Sequence, residues 1–154
     1  MNKQSVFHLI SDLIKKEGVS CILIGGFAVN YYRVTRQTAD VDFLITKEDF
    51  HKIIGLLEKA GYKKDLIQEN FTQLKSTQLS LMDVDFMFIE QDTLTKILKE
   101  SQEIEIAKQK FLVPSLNHLI ALKLHSIKYN PKLRLTVMSN KLCKLFKIYG
   151  LPVV

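Results

Sequence analysis

The chain has 154 residues, enough for one domain with a real core and too few for two comfortable ones. Its 47% hydrophobic and 25% charged composition is that of a soluble globular protein, and apolar runs such as Cys21 to Ile24 are far too short to span a bilayer. The net charge of +6 is unevenly spread, because every acidic residue lies at or before Glu105 while lysines and an arginine continue to Lys147. Such a basic C-terminal third suits either a polyanionic partner, a triphosphate or RNA, or a plain solvated face.

The first residues, MNKQSVFHLISDLIKKEG, contain no signal-peptide core or small-residue cleavage site, so a cytoplasmic protein is expected. From Ser5 to Glu17 the apolar residues Val6, Phe7, Leu9, Ile10, Leu13 and Ile14 have helical spacing, and Gly18 ends the helix. Ser20 to Ile24 reads as the first core strand. Cys21 on it and the distant Cys143 have no metal-ligand spacing, which points to reduced packing thiols. The strand stops at Gly25-Gly26, where the missing Cβ atoms allow positive φ and close approach of a ligand. The amides of a short following helix, Phe27 to Tyr32, would point at an anion, so the corner suits a phosphate.

A polar loop ending in Thr38 leads to the strand Asp40 to Ile45. Alternate strand residues share a face, so Asp40 and Asp42 project together. They are either two acids of an edge strand shown to water or a ligand pair whose repulsion is relieved by a hard, oxygen-preferring cation such as Mg²⁺. The preceding Gly-Gly strand end favours the second.

Thr46 is placed as an N-cap, with Asp49 completing a capping-box variant, for a helix running to Gly61. His51 falls off its apolar stripe and is expected at the surface. Tyr62 to Ile67, Phe71 to Leu74 and Gln78 to Ile89 have strand character. Asp83 and Asp85 interrupt the last of these. An unpartnered charge in so apolar a run costs on the order of several kcal/mol. Asp85 therefore either shares a metal with Asp40 and Asp42, making this strand their neighbour, or lies with Asp83 on a solvent face. Gln91 to Glu100 is a helix capped by Asp92 or Thr93, and Glu103 to Phe111 a strand or hairpin turning at Lys108 to Lys110. Ser115 caps a helix in whose apolar stripe Lys123 falls, so that this lysine must snorkel outward or meet an anion. Asn130-Pro131 breaks that helix, and Met138, Leu142, Leu145, Phe146 and Tyr149 make a final amphipathic stripe. The expected fold is α/β (α+β), a small mixed sheet flanked by helices, in one domain over 1–154 with a sheet-containing core (1–113) and a basic helical part (114–154).

The combination Gly25, Gly26, Arg36, Thr38, Asp40, Asp42 and Phe43 resembles the signature of the nucleotidyltransferase (polymerase-β-like) superfamily, most of all its small bacterial AbiEii/MenA-type members. Val84-Asp85-Phe86-Met87 matches the strand that carries that family's third acid, and LIALKLHSI, Leu119 to Ile127, matches its helix with Lys123 in the lysine's place. The likeness spans Leu23 to Arg134. It implies a Mg²⁺-dependent (or Mn²⁺-dependent) enzyme, of a toxin type in some forms. Such an enzyme transfers a nucleoside monophosphate from a triphosphate to a hydroxyl of a protein, RNA or small-molecule acceptor. Asp40, Asp42 and Asp85 would be the catalytic metal ligands. Gly25, Gly26, the Phe27 amide, Thr38 and Lys123 would contact the nucleotide, Lys123 at the leaving pyrophosphate. Arg36 would touch nucleotide phosphate or pin its loop to an acid. Beyond Arg134 the family continues with acids, whereas LTVMSNKLCKLF has none. A second reading is thus a nucleotide- or RNA-binding module on the same fold with reduced catalysis.

Overall fold

In the computed structural model, which describes residues 5–32 and 38–129, the stripes and runs of the sequence become five helices and seven strands. Helix α1 (Val6–Glu17) starts where Ser5 Oγ accepts the His8 N–H, and strand β1 (Ile22–Ile24) is wholly buried. Helix α2 (Gly25–Tyr31) leads to strand β2 (Asp40–Ile45) and helix α3 (Lys47–Lys59). Strands β3 (Tyr62–Gln68), β4 (Phe71–Ser76) and β5 (Asp83–Phe88) follow, then helix α4 (Gln91–Lys99), the hairpin β6 (Gln102–Ile106) and β7 (Gln109–Val113), and helix α5 (Leu116–Tyr129).

The main sheet has the order β1-β2-β5-β4-β3 and is mixed: β2 and β5 are parallel, the other neighbours antiparallel. Period-two alternation sorts its side chains onto two faces. Val41, Phe43 and Ile45 of β2 join Val84 and Phe86 of β5 on one face, under α1, α3 and the hairpin, with Phe50 of α3 lying 5.2 Å from Phe86 between ring centroids. On the opposite face Ile22, Ile24 and Leu44 pack against Leu94 and Ile97 of α4 and Leu122 of α5. Each fully buried large side chain contributes about 1.5–3 kcal/mol relative to exposure, so the central strands are held rigidly from both sides. No described helix is long and apolar enough to cross a membrane.

Several boundaries depart from the sequence expectation for identifiable reasons. The first strand begins at Ile22, not Ser20, because the Ser20 N–H donates to Asp49 Oδ2 at 3.2 Å in place of a ladder partner. Thr46 Oγ1 does cap α3 by accepting the Asp49 N–H, but the Asp49 carboxylate is turned to Ser20 and Lys52. Helix α2 starts at Gly25, two residues earlier than expected. Residues 78–82 form a turn instead of the start of β5: the Ser76 N–H donates to Asp83 Oδ1 at 2.9 Å, closing the loop and leaving Leu79 wholly exposed. Glu90 holds the N-cap position of α4 with no side-chain bond, so Asp92 lies in the first turn instead and complements the helix dipole. The hairpin turns at Ala107-Lys108, both at positive φ. Ser115 Oγ accepts the His118 N–H as expected of a cap, and His51 is exposed. The break at Asn130-Pro131, the final amphipathic stripe and Cys143 lie outside the described residues.

Thr46 is almost fully buried where β2 passes into α3, and its hydroxyl holds one of the helix's orphan amides. Thr46→Ala is expected to lower stability by about 1 kcal/mol. Urea denaturation checks it, and an unchanged midpoint would contradict the capping role.

Candidate active site

The site forms where β1 ends. In the register, Ile24 stands beside Asp42, Asp42 beside Asp85, and Asp40 beside Asp83. Cross-strand partners share a face, so the acids project on the side of Ile22, Ile24 and Leu44, away from the larger core. Asp40, Asp42 and Asp85 each bring a carboxylate oxygen within 4.8 Å of the others. The solvent-face alternative for Asp85 is thereby excluded, for only 7% of this residue is exposed.

Asp85 bears the electrostatic consequence. Burial foremost, then the charges of Asp42 and Asp40, push its carboxyl up to about 8. Its Oδ1 is buried and has no hydrogen-bond partner among the described residues. Three hard oxygen donors, mutual repulsion and an orphaned buried oxygen are what a divalent cation of the Mg²⁺ or Mn²⁺ kind would satisfy, so the residues present fit such an ion. Asp83, by contrast, is engaged in the fold: its Oδ1 accepts from Ser76.

The glycines have a reason internal to the chain. Gly25 has φ +70, and a Cβ there would overlap the Asp42 carboxylate, with Cγ only 2.7 Å away. A Cβ on Gly26 would come within 2.8 Å of Thr38 Cβ. The Gly-Gly corner therefore lets Asp42 lie against the strand end and lets the returning chain close over it. Thr38 Oγ1 donates to the Asp40 carbonyl at 2.8 Å, fixing the entry of β2. The Phe27 ring is turned into the core, edge-on to Phe7 at 5.1 Å between centroids, so only its backbone belongs near the corner.

Lys123 lies on α5 and is buried, not spread into bulk water, next to Leu122, which packs on the acid-bearing side of the sheet. Arg36 lies outside the described residues. One neighbour of the triad escaped the sequence reading: Gln73 of β4 stands directly opposite Asp85. The alternation Phe71, Gln73, Lys75 against buried Thr72 and Leu74 is the signal that marks it.

A family profile described as aminoglycoside-2″-adenylyltransferase matches residues 6–115. The chain belongs to this family. It is thereby a nucleotidyltransferase, and the superfamily likeness of its motifs stands. The match lends no support to the AbiEii/MenA-type subdivision. No curated protein sequence matches the chain. Among solved structures, ANT(2″)-Ia in complex with adenylyl-2″-tobramycin is similar with a TM-score of 0.63 and 16% identity, covering 95% of this chain and 92% of that one. TM1012 of Thermotoga maritima gives 0.60 and 19%, covering 86% and 90%. The lincosamide antibiotic adenylyltransferase LnuA, bound to lincomycin, gives 0.56 and 20%, covering 73% and 80%. At these identities the likeness is one of fold, and it agrees with the mixed sheet and helices described above.

The raised Asp85 carboxyl makes folding pH-dependent. The folded state keeps a proton that the unfolded chain has lost above the ordinary carboxylate range, so this stabilisation is full at acid pH and disappears as pH rises through about 8. In metal-free buffer the melting temperature is expected to fall by roughly 5–10 °C from pH 5 to pH 9. Asp85→Asn should flatten that slope, and added Mg²⁺ or Mn²⁺ should restore the wild-type value at high pH. Identical slopes for both proteins, with no metal effect, would contradict the electrostatic account.

Proposed function

We propose that this chain transfers a nucleoside monophosphate, AMP from ATP in the first instance, to a hydroxyl group of an acceptor molecule. The observation that carries the proposal is the convergence of Asp40, Asp42 and Asp85 beside the Gly25 corner. Asp40, Asp42 and Asp85 are the residues that hold the metal, Mg²⁺ or in its place Mn²⁺. That ion, when bound, supplies positive charge to the triphosphate and lowers the pKa of the attacking hydroxyl.

The chain itself supplies position. The acceptor hydroxyl releases its proton to water as its oxygen forms the bond to the α-phosphorus in line with the bond that breaks, and pyrophosphate leaves with the electron pair. Nearly all of the acceleration in such a reaction comes from holding these groups in place and balancing their charge. Asp40 and Asp42, fixed on one rigid strand, and Asp85, fixed on its parallel neighbour, set that geometry. Gly25, Gly26 and the Phe27 amide form the wall for the phosphates, and Thr38 steadies it through the Asp40 carbonyl. Lys123, an ammonium on α5, offsets charge on the departing pyrophosphate, and Arg36, two residues before Thr38 in the sequence, is a second cation for the nucleotide. The family membership favours a small-molecule acceptor over a toxin-type activity on RNA or protein.

With α-labelled ATP, Mg²⁺ and a panel of hydroxyl compounds, wild-type protein is expected to transfer label, and Asp42→Asn to do so about 10²–10³-fold more slowly. Equal transfer by both proteins would contradict the role of the triad. Nucleotide binding without transfer to any acceptor would leave only a binding module on this fold.

A further inference from the structure

One row of residues crosses the main sheet at the level of the triad. Ile24 on β1 stands beside Asp42 on β2, Asp42 beside Asp85 on β5, Asp85 beside Gln73 on β4, and Gln73 beside Leu66 on β3. Neighbours in the row are one strand spacing apart, about 4.8 Å, and their side chains share a face. Gly25 lies against Asp42 at one end of the row. Toward the other end, Gln73 is the first side chain beyond Asp85. Among the described residues, none of β3 or β4 belongs to the apolar cluster beneath α4, so this end of the face is open. Gln73 and Phe71 are half-buried there, and Leu66 is 44% exposed.

The fold makes no use of the Gln73 amide. It forms no hydrogen bond among the described residues, although Asp85 Oδ1, one strand away, is buried and also lacks a partner. Removing the amide therefore leaves no group of the described chain unsatisfied. The chemistry gives the row a direction, because the displacement is in line. With the triphosphate against the Gly25 corner, pyrophosphate departs toward β1, and the incoming oxygen stands on the opposite side of the α-phosphorus, toward β4. An acceptor entering there meets Gln73 as it reaches Asp85. The amide offers one carbonyl oxygen and two N–H donors without a charge, which suits hydroxyl or carbonyl substituents on the acceptor.

We infer that Gln73 is an acceptor-binding residue, its side-chain amide hydrogen-bonding the acceptor within one strand spacing of Asp85 while Phe71, two residues back on the same face of β4, supplies an apolar flank. The inference rests on the transferase reading above. It adds the side of the triad from which the acceptor enters and a side chain that helps to select it.

The test uses the full chain with Mg²⁺, α-labelled ATP and the panel of hydroxyl compounds, tobramycin and lincomycin among them. In Gln73→Leu, kcat/KM for the compound that takes label is expected to fall about three- to tenfold, as for one lost hydrogen bond, with KM for ATP unchanged. Retained affinity for a non-hydrolysable ATP analogue certifies the fold of the variant. In the isotope-labelled wild type bound to that analogue, the Gln73 side-chain amide resonance should shift when the same compound is added. An unchanged kcat/KM for the acceptor, a KM for ATP that rises in step with the loss, or a side-chain resonance that stays in place overturns the inference and leaves the transferase intact. Label transferred to no compound, with the analogue still bound, overturns the transferase reading and the inference with it.

Discussion

Three carboxylates on adjacent strands repel one another, and the fold holds them together regardless. That enforced proximity is the constraint on which the rest of the structure depends. It requires rigid strands, because relaxed ones would let the acids turn to water, and the buried faces of β2 and β5 provide the rigidity. It also requires that the parallel pairing of β2 with β5 be kept in register, since a slip by one residue would send Asp85 into the aromatic core and Phe86 into the site. Val41, Phe43, Val84 and Phe86, all buried in the core on the other face, are thus what holds the three acids in place.

The same constraint explains the neighbourhood. Asp42 needs space at the end of β1, and Gly25 provides it by having no side chain and by adopting a left-handed backbone. The chain that returns to begin β2 passes so near Gly26 that a Cβ there would come within 2.8 Å of the Thr38 side chain. The absence of side chains at Gly25 and Gly26 is thus accounted for within the chain, by the Asp42 carboxylate and the Thr38 side chain that lie against them.

Much of this was legible in the sequence because it depends on short-range rules. Alternation put Asp40 and Asp42 on one face, a lone acid in an apolar run drew attention to Asp85, and Thr46 and Ser115 read correctly as caps. The parts that were not legible are set by tertiary contacts. The 78–82 segment has strand composition, yet Asp83 closes a turn there by accepting the Ser76 amide. Asp49 looks like the partner of Thr46, but a residue 29 positions earlier takes its carboxylate. Gln73 belongs to the surroundings of the triad only because β4 pairs with β5, and nothing local announces that pairing.

Paramagnetic broadening by Mn²⁺ in the isotope-labelled protein tests the central claim most directly, because it reports where an ion sits independently of turnover. The account predicts that substoichiometric Mn²⁺ broadens the resonances of Gly25, Gly26, residues 40–42 and residues 84–86 first, and that Mg²⁺ reverses the effect. Broadening confined to other acids, such as Glu103 and Glu105 of the hairpin, with Asp85 and its neighbours untouched, would contradict it.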